Sequence, residues 1–114
     1  MVIVKLKQAY TFWQATFRDM PKTERVGIGQ KVDIAFLSTL ELTFRASYLP
    51  PAEKVILLGK AISQLDVLKF FLQLAWEAKN VSNGRFAELI SLLEEVGRML
   101  GGWRKGLLNK TPPA

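Results

Sequence analysis

The sequence has 114 residues, of which 49% are hydrophobic and 23% are charged. This length and composition suit one globular domain with a single core and exclude an intrinsically disordered chain. Cysteine and histidine are both absent, which removes disulfides, thiolate metal sites and the commonest general base, so we expect no enzyme and no cofactor.

The longest apolar stretch is too often charged to form a membrane span. Lys60, Asp66, Lys69 and Glu77 interrupt it, and no uninterrupted run approaches the roughly 18 residues that a span needs. The first residues, 1–5, do not have the basic and then apolar order of a signal peptide. We therefore expect a cytoplasmic protein without a membrane partner.

Apolar side chains follow the first two predicted helices at spacings of three and four residues. The first helix, about residues 3–20, ends at Pro21, and Thr23 can cap the second helix, about 24–48. The first apolar stripe contains Leu6, Tyr10, Trp13, Phe17 and Met20. The second contains Ile28, Val32, Ala35, Thr39, Leu42 and Ala46, with Asp33, Leu37, Leu40 and Phe44 beside it.

Two further helices follow, over about residues 51–79 and 83–101. Asn80 can end the third helix, Ser82 can cap the fourth, and Gly101-Gly102 is predicted to end the fourth. The bundle is thus predicted to cover residues 1–103, and residues 104–114 a basic C-terminal tail that frays at Thr111–Ala114. The core stripes contain Leu58, Ala61, Ile62, Leu65, Leu68, Leu72 and Trp76 in the third helix, and Phe86, Leu89, Ile90, Leu93, Val96 and Leu100 in the fourth.

Four amphipathic helices with short loops favour an all-α fold, an antiparallel up-down-up-down four-helix bundle. This topology brings the start of helix one, the end of helix two, the start of helix three and the end of helix four to one end. The net charge is +6, and its excess lies in the two terminal parts of the chain. We expect a cluster of cations at this end that attracts phosphates, although solvated solubility charges are the alternative. The cluster contains Lys5, Lys7, Arg45, Lys54, Arg98, Arg104 and Lys105, and the opposite end has Lys22, Arg25, Lys79 and Arg85.

The third helix carries a second apolar patch on the side away from its core stripe. Val67, Phe70 and Leu74 form this patch, and Phe71 lies at its margin. Large apolar groups outside a core usually mark an interface, so we expect self-association through this patch. The alternative is a central helix that is buried on all sides.

Two residues have both a packing and a binding interpretation. Lys69 lies at the edge of the third core stripe, where it can extend its ammonium into water from an apolar stem or present a fixed cation. Trp103 follows two glycines, beside Arg104 and Lys105. It can pack as a lid on the bundle end, which we favour, or stack against a base.

Three stretches together resemble a known family. They are Pro21–Arg25 (Pro-Lys-Thr-Glu-Arg) followed by Gly29-Gln30, then Leu65–Leu72 (Leu-Asp-Val-Leu-Lys-Phe-Phe-Leu), and Glu95–Trp103 (Glu-Val-Gly-Arg-Met-Leu-Gly-Gly-Trp). The chain resembles Avd, the accessory variability protein of diversity-generating retroelements, over roughly residues 5–105. This family belongs with the four-helix-bundle proteins encoded in intervening sequences of 23S ribosomal RNA genes.

The resemblance implies a barrel-like homopentamer of bundles with a basic surface. It also implies a partner reverse transcriptase and binding to the template RNA or RNA/DNA of the element. The enzyme copies a template repeat with adenine-specific errors, and the accessory protein supports that mutagenic cDNA synthesis without performing chemistry.

Within this superfamily the second helix favours the Avd branch. Proteins of the intervening-sequence branch have a stretch similar to Ser-Ile-Pro-Ala-Asn-Ile-Ala-Glu-Gly, whereas this chain has Leu-Glu-Leu-Thr-Phe-Arg-Ala-Ser-Tyr at residues 40–48. Avd-like sequences tend to carry two basic residues one turn apart in helix three; here Lys69 matches the first and Gln73 stands at the second. Arg98 matches an arginine of the helix-four motif, which is either structural or RNA-binding, and Arg104 and Lys105 match a basic segment after the tryptophan.

Three functions therefore compete. The first is an accessory oligomer that binds the reverse transcriptase and RNA through Lys5, Lys7, Arg45, Lys69, Arg98, Arg104 and Lys105. The second is a protein-binding helical adaptor whose basic charge serves only solubility, or a bundle of the intervening-sequence type that has no reverse transcriptase partner. The third is an enzyme that uses carboxylates, which the absence of histidine and of converging acids disfavours.

Overall fold

The fold consists of four long helices with short connections over residues 1–110, the part of the chain that this computed structural model describes. The helices are α1 (Val2–Arg18), α2 (Gln30–Ala46), α3 (Pro51–Glu77) and α4 (Asn83–Lys110). A helical turn, Lys22–Glu24, and a π-helical segment, Arg25–Gly29, lead into α2. Residues 1–110 contain no strand, which confirms the all-helical prediction.

The helices pack as a square in which neighbours in sequence are neighbours in space. α1 packs against α2 and α4, and α3 packs against the same two helices. Lys5, near the start of α1, pairs with Glu95 near the middle of α4, whereas Asp19, just after α1, pairs with Arg85 near the start of α4. These pairs make α1 and α4 antiparallel, in agreement with the predicted up-down-up-down bundle. The bundle measures 51 × 22 × 20 Å.

The core is formed by side chains at the predicted helical spacing. Trp13 and Phe36 are its largest fully buried side chains, and their rings stack with centroids 6.2 Å apart. Two buried threonines, Thr39 and Thr43, each donate a hydroxyl hydrogen bond to the carbonyl four residues earlier, so neither leaves a buried donor unsatisfied. The other large buried side chains are Leu6, Val32, Leu58, Leu65, Leu68, Leu72, Leu89, Leu93, Val96 and Leu100.

The junction between α1 and α2 differs from the prediction at its cap. Thr23 does not cap a helix, because the helical turn begins one residue earlier, directly after Pro21, without a side-chain cap. The backbone then kinks at Gly27, where φ is −99° and ψ is −110°. Two residues later the chain passes close to α1, since a Cβ added at Gly29 would lie 3.0 Å from the Phe17 ring. Only a glycine permits that approach without a shift of its neighbours.

The junction between α3 and α4 has one cap that differs and one that agrees. Lys79, with φ 65°, takes the left-handed position that ends α3. The amide of Asn80 then donates to the carbonyl of Ala75 at 2.8 Å, the bond expected after such a residue. The predicted cap of α4 is confirmed, because the Ser82 hydroxyl accepts a hydrogen bond from the amide of Arg85 at 3.2 Å.

The fourth helix is longer than predicted. The predicted end at Gly101-Gly102 is wrong, because α4 continues to Lys110 and neither glycine has a positive φ. Trp103 and Leu107 pack against the core beyond the glycines. Their burial stabilises the additional turns and outweighs the low helix propensity of glycine.

Residues 104–110 of the predicted tail are therefore helical. The predicted frayed segment, Thr111–Ala114, lies outside the described residues, and the boundary between a bundle over residues 1–103 and a basic tail stays a prediction. Among the described helices none has the length and apolarity required to cross a membrane.

Candidate nucleic-acid interface

The structure brings the cations of distant segments to one end of the bundle, which we call the basic end. It consists of the start of α1, the end of α2, the start of α3 and the end of α4. Its acidic side chains are fewer than its basic ones, so its field is positive and attracts phosphates. The basic side chains are Lys5, Lys7, Arg45, Lys54, Arg98, Arg104, Lys105 and Lys110, and the acidic ones are Glu41, Glu53 and Glu95.

Two cations of the basic end are held in ion pairs. The ammonium of Lys5 lies 3.4 Å from a carboxylate oxygen of Glu95. Arg45 lies 3.9 Å from Glu41 one turn earlier on α2, and both side chains are largely exposed. Exposed pairs of this kind contribute little to stability and exchange readily with other anions. Lys5 and Arg45 therefore still contribute to the positive potential of the basic end, but Glu95 and Glu41 partly neutralise their charges.

Within residues 1–105, three other cations of the basic end have exposed side chains. Lys7, Arg98 and Lys105 lie on α1 and α4, and none forms an ion pair with another residue of the described chain. An unpaired surface cation binds a phosphate without first giving up a carboxylate partner. These three residues are therefore the strongest candidates for phosphate contacts.

Arg104 is built into the bundle. It is partly buried, and its Nε donates a hydrogen bond to the carbonyl oxygen of Val55 at 3.1 Å. The guanidinium also lies against Gly59, where an added Cβ would be 3.3 Å from Nε. The end of α4 is thus fastened to the first turns of α3. Arg104 therefore has a tertiary partner that helical spacing alone does not reveal.

Trp103 and Lys54 form a second contact between the same helices. The Trp103 side chain is partly buried against the core, and the Lys54 ammonium lies 5.4 Å from its ring centroid. This arrangement agrees with the lid interpretation of Trp103. Trp103 also lines an apolar cavity of about 350 Å³ at the bundle end. The other lining residues are Met1, Val2, Ile3, Ser47 and Met99.

Lys69 lies at the inner edge of the basic end, at the level of Arg98 and of the Lys5–Glu95 pair. Its ammonium is 3.4 Å from a carboxylate oxygen of Glu94 and close to Gly97, near the middle of α4. Its side chain is 25% exposed, so the stem lies on the core while the ammonium reaches the surface. Because Glu94 pairs with this ammonium, Lys69 presents less free charge than Lys7, Arg98 or Lys105.

The predicted self-association patch lies open on α3. Phe70 is 57% exposed, and Val67 and Leu74 are each 38% exposed. Phe71 is half-buried, with its ring centroid 5.7 Å from that of Phe70. The alternative of a helix buried on all sides is therefore wrong for this chain.

A second exposed apolar stripe, on α2, was missed. Ile34, Leu37, Phe44 and Tyr48 are between 47% and 76% exposed and recur at helical spacing opposite the core. Their spacing predicts that Leu37 and Phe44 lie beside the core stripe. That placement is wrong, because α2 has only two helical neighbours and leaves its outer side uncovered. The recurrence of apolar residues at positions 34, 37, 44 and 48 is the sequence pattern that could have indicated this exposed stripe.

The opposite end of the bundle is closer to charge balance. Arg85 pairs with Asp19 at 2.7 Å, and Lys22 and Lys79 are exposed. Arg25 is partly buried, and its Nε has no hydrogen-bond partner among the described residues. Acidic residues accompany the cations at this end, which makes it the weaker phosphate-binding candidate.

Carboxylates do not gather into a metal-binding cluster anywhere in residues 1–110. The one strongly perturbed titratable group is structural. Burial, reinforced by a hydrogen bond to Asp33, raises the pKa of Tyr10 to about 12. The same Asp33 oxygen accepts hydrogen bonds from Tyr10 at 2.9 Å and from the Trp13 ring nitrogen at 3.2 Å. This network fixes α1 on α2.

The sequence matches a known family over nearly its whole length. The model of the bAvd-like family matches residues 1–107, from the start of α1 into the last turns of α4. The matched range contains every basic residue of the basic end except Lys110. No curated protein matches the chain at a significant level.

Proposed function

Because the chain belongs to the bAvd-like family over residues 1–107, we propose that it is a non-enzymatic accessory protein of a diversity-generating retroelement. In this role it acts in the cytoplasm, where it binds the partner reverse transcriptase and the template RNA or RNA/DNA and supports mutagenic cDNA synthesis. Its form is a homo-oligomer, which we expect to be a pentamer.

The basic end is the observation that most supports nucleic-acid binding. Lys7, Arg98 and Lys105 present unpaired charge there, and the paired cations add to the same field. Each phosphate contact releases condensed counterions, so several modest contacts together give useful affinity. An oligomer repeats the set in every subunit, and simultaneous engagement of the copies strengthens binding further.

The exposed patch on α3 supports self-association. Phe70 exposes more than half of its surface beside Val67 and Leu74. Covering such side chains removes apolar area from water, at about 25 cal/mol for each Å². A ring of subunits needs two different surfaces on each subunit, and the outer stripes of α2 and α3 provide two apolar candidates.

The test compares two charge-matched triple variants in RNA binding across a range of salt concentrations. In the first, Lys7, Arg98 and Lys105 are replaced by alanine. In the second, the exposed cations Arg18, Lys22 and Lys31, which lie toward the other end of the bundle, are replaced. Both variants lose the same net charge, so any difference in RNA affinity between them reflects where the replaced cations lie.

We expect the first variant to bind RNA more weakly and to flatten the plot of log affinity against log salt. The slope should fall by about 0.7–0.9 for each phosphate contact that is lost. The second variant should remain close to the parent. Equal losses in the two variants would indicate non-specific attraction by net charge, and absence of salt-dependent RNA binding by the parent would exclude the RNA-binding part of the proposal.

The protein-binding adaptor is the second candidate, and the exposed apolar stripes on α2 and α3 are what favour it. An adaptor would bind the reverse transcriptase with little dependence on the cations of the basic end. Purified reverse transcriptase should then retain the first triple variant as well as it retains the parent. The accessory function instead requires that the variant fails to restore cDNA synthesis on template RNA.

A further inference from the structure

The outer stripe of α2 changes from aliphatic to aromatic where it reaches the basic end. Ile34 and Leu37 lie in the first half of α2, whereas Phe44 lies in its last turn and Tyr48 in the turn that follows the helix. Phe44 is 54% exposed and Tyr48 is 76% exposed. Their rings meet edge to face, with centroids 5.1 Å apart at 65°. Two aromatic rings, set at an angle to one another, are therefore exposed to solvent at this end of the bundle.

This aromatic pair lies beside cations. Phe44, Tyr48 and Lys7 line one cleft of about 530 Å³ between α1 and α2, which the side chains of Met1, Ile3, Leu40, Glu41 and Ser47 complete. Arg45 follows Phe44 directly on α2, and its weak 3.9 Å pair with Glu41 leaves it largely exposed. A cleft that combines aromatic rings with a cation, and has a second exposed cation nearby on the same helix, can accept both the bases and the phosphates of a nucleic-acid strand.

We infer that Phe44 and Tyr48 form a stacking platform for the unpaired bases of a single-stranded nucleic acid, with Lys7 and Arg45 on its phosphates. The inference rests on the proposed nucleic-acid binding and specifies the form of the ligand. Bases in a duplex are already stacked on one another and cannot lie on a protein ring. The platform therefore distinguishes single strands from duplexes without reading their sequence, because every base has a π-face.

Charge favours this occupant over an apolar surface of another protein. An apolar partner would cover Ile34 and Leu37 as readily as the two aromatic residues, and it would have to bury the neighbouring cations Lys7 and Arg45 at a desolvation cost. A nucleic-acid strand keeps those cations paired with phosphate. Only the aromatic part of the stripe, next to the cations, suits both components of such a ligand.

The experiment measures binding of the full chain to two single-stranded oligonucleotides of equal length. One is an oligodeoxyadenylate, and the other has the same backbone with abasic sites in place of the bases. The variant carries Phe44→Leu and Tyr48→Leu, which retain apolar side chains but remove both rings. The control is Val26→Ala, which trims an apolar side chain that is 65% exposed, lies in the segment before α2 away from the basic end, and belongs to neither exposed apolar stripe.

We expect the parent and the Val26→Ala control to prefer the base-bearing strand by about fivefold or more for each stacked base. The double variant should lose this preference while it retains salt-dependent binding to the abasic strand. A double variant that keeps the preference overturns the inference and leaves the proposed function intact, as does a parent that binds both strands equally. A double variant with an altered sedimentation coefficient also overturns it, because the pair would then belong to a subunit interface. If the parent binds neither strand, the nucleic-acid part of the proposed function fails as well.

Discussion

Replacing Gly101 and Gly102 together by alanine tests whether α4 continues beyond its glycine pair. Both glycines lie inside the helix, neither has a positive φ, and a Cβ added at either position would meet no heavy atom within 4 Å. A glycine in a helix interior costs about 0.5–1 kcal/mol relative to alanine, because its freer backbone loses more entropy on folding. The double variant should therefore raise the free energy of unfolding by about 1–2 kcal/mol.

If the glycines instead end the helix, the double variant should lower the free energy of unfolding. A left-handed cap residue replaced by alanine would cost about 1–2 kcal/mol, because Cβ then crowds the following carbonyl. Thermal and denaturant unfolding at one fixed protein concentration distinguish the two cases, since self-association makes stability depend on concentration. The melting temperature should rise by about 4 °C or more for each kcal/mol gained.

Gly29→Ala is the matched control for this experiment. A Cβ at that position would lie 3.0 Å from both the Glu24 carbonyl oxygen and the Phe17 ring. Overpacking of this kind costs about 1–3 kcal/mol, so the control should melt below the parent. A Gly101/Gly102 double variant that also melts below the parent would refute the continuous fourth helix.

Three further changes have defined expected outcomes. Phe70→Asp should weaken self-association by burying a carboxylate without a partner; sedimentation at matched concentrations measures this, and an unchanged mass would locate the interface elsewhere. Arg104→Ala should lower the free energy of unfolding by about 1–2 kcal/mol through loss of the hydrogen bond to Val55 and the packing around it, and unchanged denaturant unfolding would contradict this. The pKa of Tyr10 is raised to about 12, against 10 for the free side chain. The stabilisation by its protonated hydroxyl is therefore complete below about pH 10 and is lost as the pH rises through 12. Tyr10→Phe should reduce this alkaline loss of stability, and an equally steep loss in the variant would contradict the role given to Tyr10.

The four helices and their core faces were predictable because both depend on local spacing. Leu65 and Leu72 are seven residues apart, nearly two helical turns, so they occupy the same side of α3 in any helix of this sequence. Both are fully buried. Pro51 fits the first turn of α3 for an equally local reason, since its fixed φ suits a helix start.

The features that the sequence did not reveal depend on contacts between distant segments. Arg104 is fastened to Val55, which lies 49 residues earlier in the chain. Propensity favours ending α4 at its glycines, but the packing of Trp103 and Leu107 on the core carries the helix past them. The end of α3 follows the same pattern, because a left-handed Lys79 has no distinctive sequence signal.

The candidate site was predictable in its location and less so in its parts. An even number of antiparallel helices places both terminal segments at one end, so Lys5, Lys7 and Lys105 converge there whatever the details of packing. Which cations are free is a tertiary property. Lys5 forms an ion pair with Glu95, and Lys69 forms one with Glu94. Neither pairing follows from spacing within one helix.

The proposed ring gives the polarity of this bundle a functional consequence. In a cyclic ring every subunit is related to the next by rotation about one axis, so all subunits point the same way along that axis. If the bundles are inclined to the axis, all the basic ends therefore lie on the same rim of the ring. A two-fold axis across the bundle would instead send the basic ends to opposite sides and halve the charge at each. The outer stripes of α2 and α3 are different surfaces on adjacent helices, which suits the head-to-tail contact of a ring rather than a self-complementary dimer. We therefore expect a single nucleic-acid strand to follow one rim of the assembly and to contact Lys7 and Lys105 of successive subunits in turn.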